Sequence, residues 1–295
     1  MPRRTRTVAG GCLIVAVLTT ASGCISAPET ALERLLESRR LTANLVVQFT
    51  KASDGSNRAV MADTDEASVA FAREAEEATQ AIEKDASELA PMLSGLGYSN
   101  ETGLLEEFKS RFAEYRALDR NILELAVENT NLKAQRLSFG AAQEAADSFA
   151  DSLTTIAPLD SAKDTWRMKA LVATALAAVR EIQVLQAPHI AEADEAAMTR
   201  MEKQMATEEA SARSALATLG AMTQPASRPH LAAATAALDR FIGLNAQIMA
   251  LSRRNTNVRS LALTLGQKRT LTAACEDRLQ ALQDALAKRE FKATR

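Results

Sequence analysis

Residues 115–140 read YRALDRNILELAVENTNLKAQRLSFG, and residues 241–266 read FIGLNAQIMALSRRNTNVRSLALTLG. The two stretches match at an offset of 126 residues and share Asn-Thr-Asn, at 129–131 and 255–257. In the first stretch a seam of residues recurs in steps of three and four, the heptad spacing of a helix in a left-handed bundle. The seam consists of Tyr115, Leu118, Ile122, Leu125, Asn129 and Leu132. Each half of the chain is therefore predicted to contain one long amphipathic helix with this motif.

The composition of the 295 residues favours helices throughout. Only 4% of the residues are aromatic, and there are 11 Gly and 7 Pro. Strands favour aromatic and β-branched residues, whereas Ala, Leu, Glu, Gln, Arg and Lys favour helix. Breaks in the pattern divide the chain into eight predicted helices, at 29–62, 65–93, 102–138, 141–157, 160–191, 194–222, 228–264 and 267–291.

The internal repeat predicts how these helices are grouped. Gly140 and Gly266 end the two matched stretches, and glycine commonly adopts the left-handed conformation that follows a helix. With a turn at each glycine, the repeat predicts an all-α fold of two tandem antiparallel four-helix bundles with long helices, in residues 24–157 and 158–295. The sequence leaves open whether the bundles stack coaxially or lie side by side.

The N-terminus resembles a bacterial lipoprotein signal. Three arginines precede the short apolar run 12–18, which is too short to span a bilayer, and Ala21-Ser22-Gly23 then precedes Cys24. The resemblance implies a signal peptide at residues 1–23, diacylglycerol on Cys24, and a mature chain held to a membrane by this lipid, facing the periplasm or the exterior. The alternative is an ordinary secretory signal with an incidental cysteine, and the choice between inner and outer membrane is open.

Other functional classes find no support in the sequence. The 35 basic and 37 acidic residues are interspersed, so no basic face for nucleic acid is predicted. The two histidines, His189 and His230, have no metal-ligand spacing, and no nucleotide-binding, hydrolase or metalloprotease motif occurs. We therefore predict neither a catalytic residue, nor a metal, nor a cofactor, and the protein is expected not to be an enzyme.

Asn129 and Asn255 occupy seam positions at which heptad spacing favours Leu or Ile. A buried amide without a partner costs on the order of 1 to 3 kcal/mol, so each must find a hydrogen bond. One interpretation is a bond across the bundle that sets the register of the helices. The other is a polar pocket near the turn end of each bundle.

The pocket interpretation depends on the levels of polar residues in neighbouring helices. Asn57 is expected near the level of Asn129 if the chain turns at residues 63 and 139, and the second half repeats the arrangement with Gln186 and Asn255. Arg58 and Arg136 would lie nearby. This set predicts a site for a small polar or anionic ligand.

Three stretches resemble the four-helix-bundle sensor domains of methyl-accepting chemotaxis receptors. They are residues 56–67, the pattern Phe112-x-x-Tyr115-x-x-Leu118-Asp119 leading to 129–131, and the closing residues 291–295. The resemblance implies a bundle that binds a small ligand or a periplasmic partner such as a membrane signalling protein. The chain departs from the family because no membrane helix or cytoplasmic signalling region follows the bundle. The alternative is a helical spacer of the cell envelope without a small ligand, and a homodimer is left open.

Overall fold

The computed structural model describes residues 30–159 and 165–290, and these residues form helices without any strand. The all-α prediction is confirmed. Ten α-helices and two short π-helical segments follow one another in the order α1 (Ala31–Met61), α2 (Asp65–Gly95), α3 (Ser99–Glu128), α4 (Thr130–Leu137), π1 (Ser138–Ala142), α5 (Gln143–Leu159), α6 (Thr165–Ala191), α7 (Glu195–Met222), α8 (Arg228–Arg254), α9 (Thr256–Leu263), π2 (Thr264–Lys268) and α10 (Arg269–Ala287).

The chain does not turn at Gly140 or Gly266, and this prediction was wrong. Both glycines lie inside the π-helical segments, which carry α4 into α5 and α9 into α10. Among the described residues, the non-glycine residues with a left-handed conformation are instead Asn129, with φ 51°, and Asn255, with φ 53°. Two bent helical paths result, from Ser99 to Leu159 and from Arg228 to Ala287, each about 90 Å long at a rise of about 1.5 Å per residue.

The two long paths exchange their ends between the halves of the chain. Helix α10 packs against α3 and α1, whereas α5 packs against α8 and α6. A first core is therefore formed by α1, α2, α3 and α10, and a second core by α5, α6, α7 and α8. The tandem arrangement of two self-contained bundles is not confirmed, because a helix that continues through its predicted turn enters the other core. The boundaries 24–157 and 158–295 remain predictions.

The two cores differ in their side chains. The first contains a cluster of rings in which the centroids of Phe49 and Tyr115 are 5.0 Å apart, and Phe108 and Phe112 stack on each other. The second is rich in alanine and aliphatic residues. Steps of four and three in residues 168–186 of the sequence predict a second seam, and α6 buries it at every position, namely Met168, Val172, Ala175, Val179, Ile182 and Gln186.

The seam of α3 is shifted from its predicted positions. From Leu105 onward its buried residues are Leu105, Phe108, Phe112, Tyr115, Asp119, Ile122 and Ala126, whereas Leu118 and Leu125 are only half-buried. This set keeps the steps of three and four that pack a helix in a bundle. The shift places the carboxylate of Asp119 inside the molecule, 3% exposed.

Candidate functional site

The two Asn-Thr-Asn motifs meet and cap each other's helices. The first backbone N–H groups of a helix have no partner within it, and here the opposite motif supplies one. The N–H of Thr130 donates to Thr256 Oγ1, and the N–H of Thr256 donates to Thr130 Oγ1, both at 3.1 Å. The N–H groups of Asn131 and Asn257 donate to each other's Oδ1, also at 3.1 Å. The motifs are thus related by an approximate two-fold axis.

The left-handed asparagines are part of the same network. Asn129 Oδ1 accepts from Asn257 Nδ2 at 2.7 Å, and Asn255 Oδ1 accepts from Asn131 Nδ2 at 2.8 Å. Asn255 Nδ2 also donates to the carbonyl of Glu192 at 2.7 Å, whereas Asn129 Nδ2 is buried without a partner among the described residues. Both asparagines are buried, as predicted, and the Oδ1 of each accepts a hydrogen bond from the other half of the chain.

A buried ion pair lies in the first core at the end of π2. Lys268 is 2% exposed, and its Nζ donates to Asp119 Oδ1 at 2.9 Å, to Asn57 Oδ1 at 3.2 Å and to Ser56 Oγ. Ser56 Oγ in turn donates to Asp119 Oδ1 at 2.6 Å. The three acceptors match the three protons of an ammonium group, so the cation is fully hydrogen-bonded in a place where an unpaired charge would be costly.

Electrostatics at this ion pair reflect its burial. Desolvation lowers the pKa of Lys268, and the attraction and hydrogen bond of Asp119 oppose that shift. The ring centroid of Tyr115 lies 5.7 Å from the Lys268 ammonium. Burial raises the pKa of the Tyr115 hydroxyl, and the Asp119 carboxylate raises it further. The tyrosine therefore stays neutral beside the pair.

Lys268 is one of the residues that line an open cavity of about 510 Å³ between α1 and the π2 region. This volume falls within the range of about 300 to 1,000 Å³ that is usual for small-ligand sites. The lining combines polar and apolar side chains, namely Ser53, Asn57, Val60, Met61, Leu261, Thr264, Leu265, Lys268, Arg269, Thr272, Ala273 and Glu276. The cavity can therefore offer hydrogen bonds, charge and apolar contact to one molecule.

The π2 segment explains why the side chain of Lys268 is turned towards the interior beside the cavity. A π-helical turn accommodates an additional residue, which rotates the following helix face by about 100° relative to the preceding one. Lys268 closes π2, and it continues the seam formed by Cys275, Leu279, Leu282 and Leu286 in α10. The segment thus turns a lysine inward at the point where α9 becomes α10.

The equivalent position in the second half is neutral. The offset of 126 residues relates Asp119 to Asn245 and Lys268 to Ala142. Asn245 Oδ1 accepts from Gln186 Nε2 at 2.9 Å, and Gln186 Oε1 accepts from Ser138 Oγ at 2.7 Å. Gln186 is 2% exposed, so this amide chain fills a place that is charged in the first half.

The predicted site residues are distributed over several places. Asn57 lines the cavity, but Asn129 belongs to the central motif, and no hydrogen bond joins the two. Gln186 bonds to Ser138 and Asn245 rather than to Asn255. The expectation of one polar layer in each half depended on a turn at residue 139, and without that turn the levels do not correspond.

The two predicted arginines are exposed and make ion pairs at the surface. Arg58 lies 3.1 Å from Glu74 and covers the ring of Phe71 at 3.8 Å, and Arg136 lies 3.2 Å from Asp65. Neither side chain lines the Lys268 cavity. The cationic groups found there, Lys268 and Arg269, were not predicted.

A signal for the missed residues was present in the sequence. Asp119 and Lys268 both occur at heptad positions, four residues after Tyr115 and seven before Cys275. A charged residue in a seam is rarely buried without an opposite charge, so two such residues in helices of one repeat predict a pair.

The second half contains a buried histidine network. His189 is 0% exposed, its Nδ1 lies 2.9 Å from Ser252 Oγ, and its Nε2 lies 3.0 Å from Glu202 Oε1. Arg253 holds the same carboxylate with two bonds, at 2.7 and 2.8 Å. Although serine, histidine and carboxylate are aligned, the serine and the imidazole are both fully buried, so no substrate can reach them.

This network predicts a dependence of stability on pH. The hydrogen bonds of Arg253 lower the pKa of Glu202, and that of His189 lowers it further, while burial opposes them. A carboxylate whose pKa is lowered by folding stabilises the fold fully at pH values above its pKa in the unfolded chain. This contribution is lost as the pH falls through the lowered pKa of the folded state. We expect Glu202→Gln to reduce the melting temperature at pH 7 and to flatten its decline between about pH 5 and pH 3. Exposed Glu66→Gln is the control, and an equal effect of both variants would contradict the assignment.

Other chemistry has little basis in the part of the chain that the structure describes. No group of three or more His, Cys, Asp or Glu side chains is placed to hold a metal ion there. Cys275 is buried and unpaired, and burial raises the pKa of its thiol to about 12. One described helix, α6, is long and apolar enough to cross a membrane by composition, and its seam is packed in the second core. The predicted signal peptide and Cys24 lie outside the described residues.

Comparison of the chain with known protein families, characterised proteins and solved structures finds no match. The resemblance to chemotaxis-receptor sensor domains therefore gains no support from these comparisons.

Proposed function

We propose that this protein is an envelope-anchored lipoprotein whose helical body binds a small polar or anionic ligand in the Lys268 cavity. The observation that carries the proposal is that a buried, fully hydrogen-bonded lysine, paired with Asp119, lines an open cavity of about 510 Å³. A buried ion pair that only strengthened the fold could be replaced by uncharged side chains without loss, and the other half has Asn245 and Ala142 at the equivalent positions. A polar side chain in the lining of a cavity instead suits recognition.

The rest of the proposal extends the sequence interpretation. The sequence before Cys24 supports attachment through lipid, with the protein in the periplasm or outside the cell. The repeat and the two cores support a pair of four-helix-bundle modules, now with their fourth helices exchanged, as in a sensor module freed from a receptor. A periplasmic or membrane signalling protein would then respond to the bound state.

A structural spacer is the second candidate, and the two helical paths of about 90 Å favour it. Long rods that lock together at their middle can hold envelope components at a fixed distance. A spacer needs no ligand, so the two functions differ in a measurable way.

One experiment with two arms tests the proposal. Cells that express the full chain are fed an alkyne-labelled fatty acid, and we expect label on the wild type and none on Cys24→Ser. In the second arm, the purified full chain is melted with acetate, succinate, inorganic phosphate and decanoate. A ligand at 100 times its Kd adds about 2.7 kcal/mol to the free energy of unfolding, which raises Tm by several degrees.

The matched controls place the ligand in the cavity. Arg269→Glu removes a cation from the lining, and Arg259→Glu removes an exposed cation from the neighbouring helix α9. We expect the first variant to abolish the shift and the second to retain it. A shift that survives Arg269→Glu would contradict the site, and the absence of any shift with every anion, decanoate included, would favour the spacer.

A further inference from the structure

The lining of the Lys268 cavity is ordered along the helix axis. Leu261 and Leu265 lie at one end with Met61 of α1, Lys268 and Arg269 occupy the middle, and Glu276 lies at the far end. The axial distance from Arg269 to Leu261 is eight residues, about 12 Å, and from Arg269 to Glu276 seven residues, about 10 Å in the opposite direction. The cavity therefore has a definite polarity.

The apolar end is unusually exposed for side chains of this size. Met61 is 71% exposed, Leu265 67% and Leu261 38%. These three side chains line the same cavity, whereas isolated exposed apolar residues are common and need no explanation. A chain of methylene groups laid over them would remove apolar surface from water.

The charges determine which head group fits. Asp119 and two polar oxygens already satisfy the ammonium of Lys268, so the guanidinium of Arg269 is the cation left for a ligand. Asn57 lies beside Lys268 in the middle section, where its side-chain amide can bond to oxygen atoms of a ligand. Glu276 would repel an anionic head from the far end, which leaves the apolar end as the direction in which its chain must run.

We infer that the cavity takes a single-chain anionic amphiphile, with its head group at Arg269 and its chain along Leu265 towards Leu261. This inference rests on the proposed function and narrows its ligand class. The 12 Å section accommodates about ten carbons of an extended chain, since bonds of about 1.5 Å advance the chain by about 1.3 Å per carbon. A free monocarboxylate and a single-chain phospholipid share this chemistry.

The test is a chain-length series on the full-length protein. Binding of acetate, butyrate, hexanoate, octanoate and decanoate, each below its micelle concentration, is measured by calorimetry. Each methylene group that becomes fully buried lowers Kd about fourfold, and each one that lies in a half-open groove lowers it about twofold. We therefore expect decanoate to bind at least about 50-fold more tightly than butyrate. Decanol should bind at least tenfold more weakly than decanoate, because it lacks the charge.

Two variants then distinguish binding at the apolar end of the cavity from non-specific binding to exposed apolar side chains. Leu265→Asn should weaken decanoate at least tenfold and leave acetate unchanged. Phe139→Asn is the matched control, because Phe139 occupies the equivalent position in π1 and is 73% exposed but lies outside the cavity lining. This control should leave both ligands unaffected.

The outcomes distinguish the inference from the function on which it rests. If small anions bind through Arg269 without any gain from chain length, the proposed function stands and the amphiphile is wrong. Decanoate binding that depends on Leu265 supports a free acid as the ligand. If lysophosphatidylglycerol binds with that dependence and decanoate does not, the head group is a lipid phosphate. Equal binding of decanol and decanoate overturns the inference.

Discussion

Replacement of Lys268 by methionine is expected to lower the free energy of unfolding by about 3 to 5 kcal/mol. The substitution removes the cation and leaves the Asp119 carboxylate, 3% exposed, with Ser56 as its remaining polar partner. An unpaired buried charge is costly because water no longer solvates it. Urea unfolding followed by circular dichroism measures the loss, and a change below about 1 kcal/mol would show that water reaches the pair.

The double variant Lys268→Met/Asp119→Leu is the control for this prediction. With both charges removed the site resembles its neutral counterpart at Asn245 and Ala142, and we expect most of the stability to return. If the double variant is stable but no longer binds the anions that bind the wild type, the pair is needed for recognition rather than for folding. That result would link the stability measurement to the proposed site.

The sequence was sufficient for the parts of the fold that depend on local pattern. The composition predicted helices, the heptad spacing predicted the buried face of α6, and the repeat identified both Asn-Thr-Asn motifs. These features depend on residues close in sequence, where periodicity decides which side of a helix is buried.

The exchange of helix ends could not be predicted in the same way. Gly140 and Gly266 are compatible with a turn and with a π-helical segment, and the periodicity of α5 suits either core. Which core receives α5 is decided by the reciprocal bonds of Thr130 with Thr256 and of Asn131 with Asn257, which lie 126 residues apart. Asn tolerates the left-handed conformation better than other non-glycine side chains. The sequence prediction did not use this preference, because the position of each asparagine in a heptad seam indicated a continuous helix.

Only one residue of the candidate site was predicted, because the burial of the other depends on a residue that is distant in sequence. Asn57 was identified from its level along the first helix, but Lys268 was not, because lysine in a helix normally lies in water. Its burial depends on Asp119 in another helix and on the rotation introduced by π2. Asp119 lies 149 residues before Lys268 in the sequence, so the pattern around Lys268 does not reveal its partner.

The second large effect is expected for Asn131→Ala, which should lower the free energy of unfolding by about 2 to 4 kcal/mol. The side chain of Asn131 accepts from the N–H of Asn257 at 3.1 Å and donates to the carbonyl of Ile190 at 2.6 Å and to Asn255 Oδ1 at 2.8 Å. Alanine leaves these groups without their partner, and each unsatisfied buried group costs about 1 to 3 kcal/mol, partly offset where water enters.

Asn121→Ala is the control, because Asn121 is exposed on the neighbouring helix α3, and its loss should change stability by less than about 0.5 kcal/mol. Asn257→Ala removes the reciprocal contact, and since the two residues share one network, the double variant should cost less than the sum of the single variants. Strict additivity would mean that the two motifs act independently. In that case the crossing would be a passive contact between two long helices, and the exchange of their ends would have to be fixed by the cores alone.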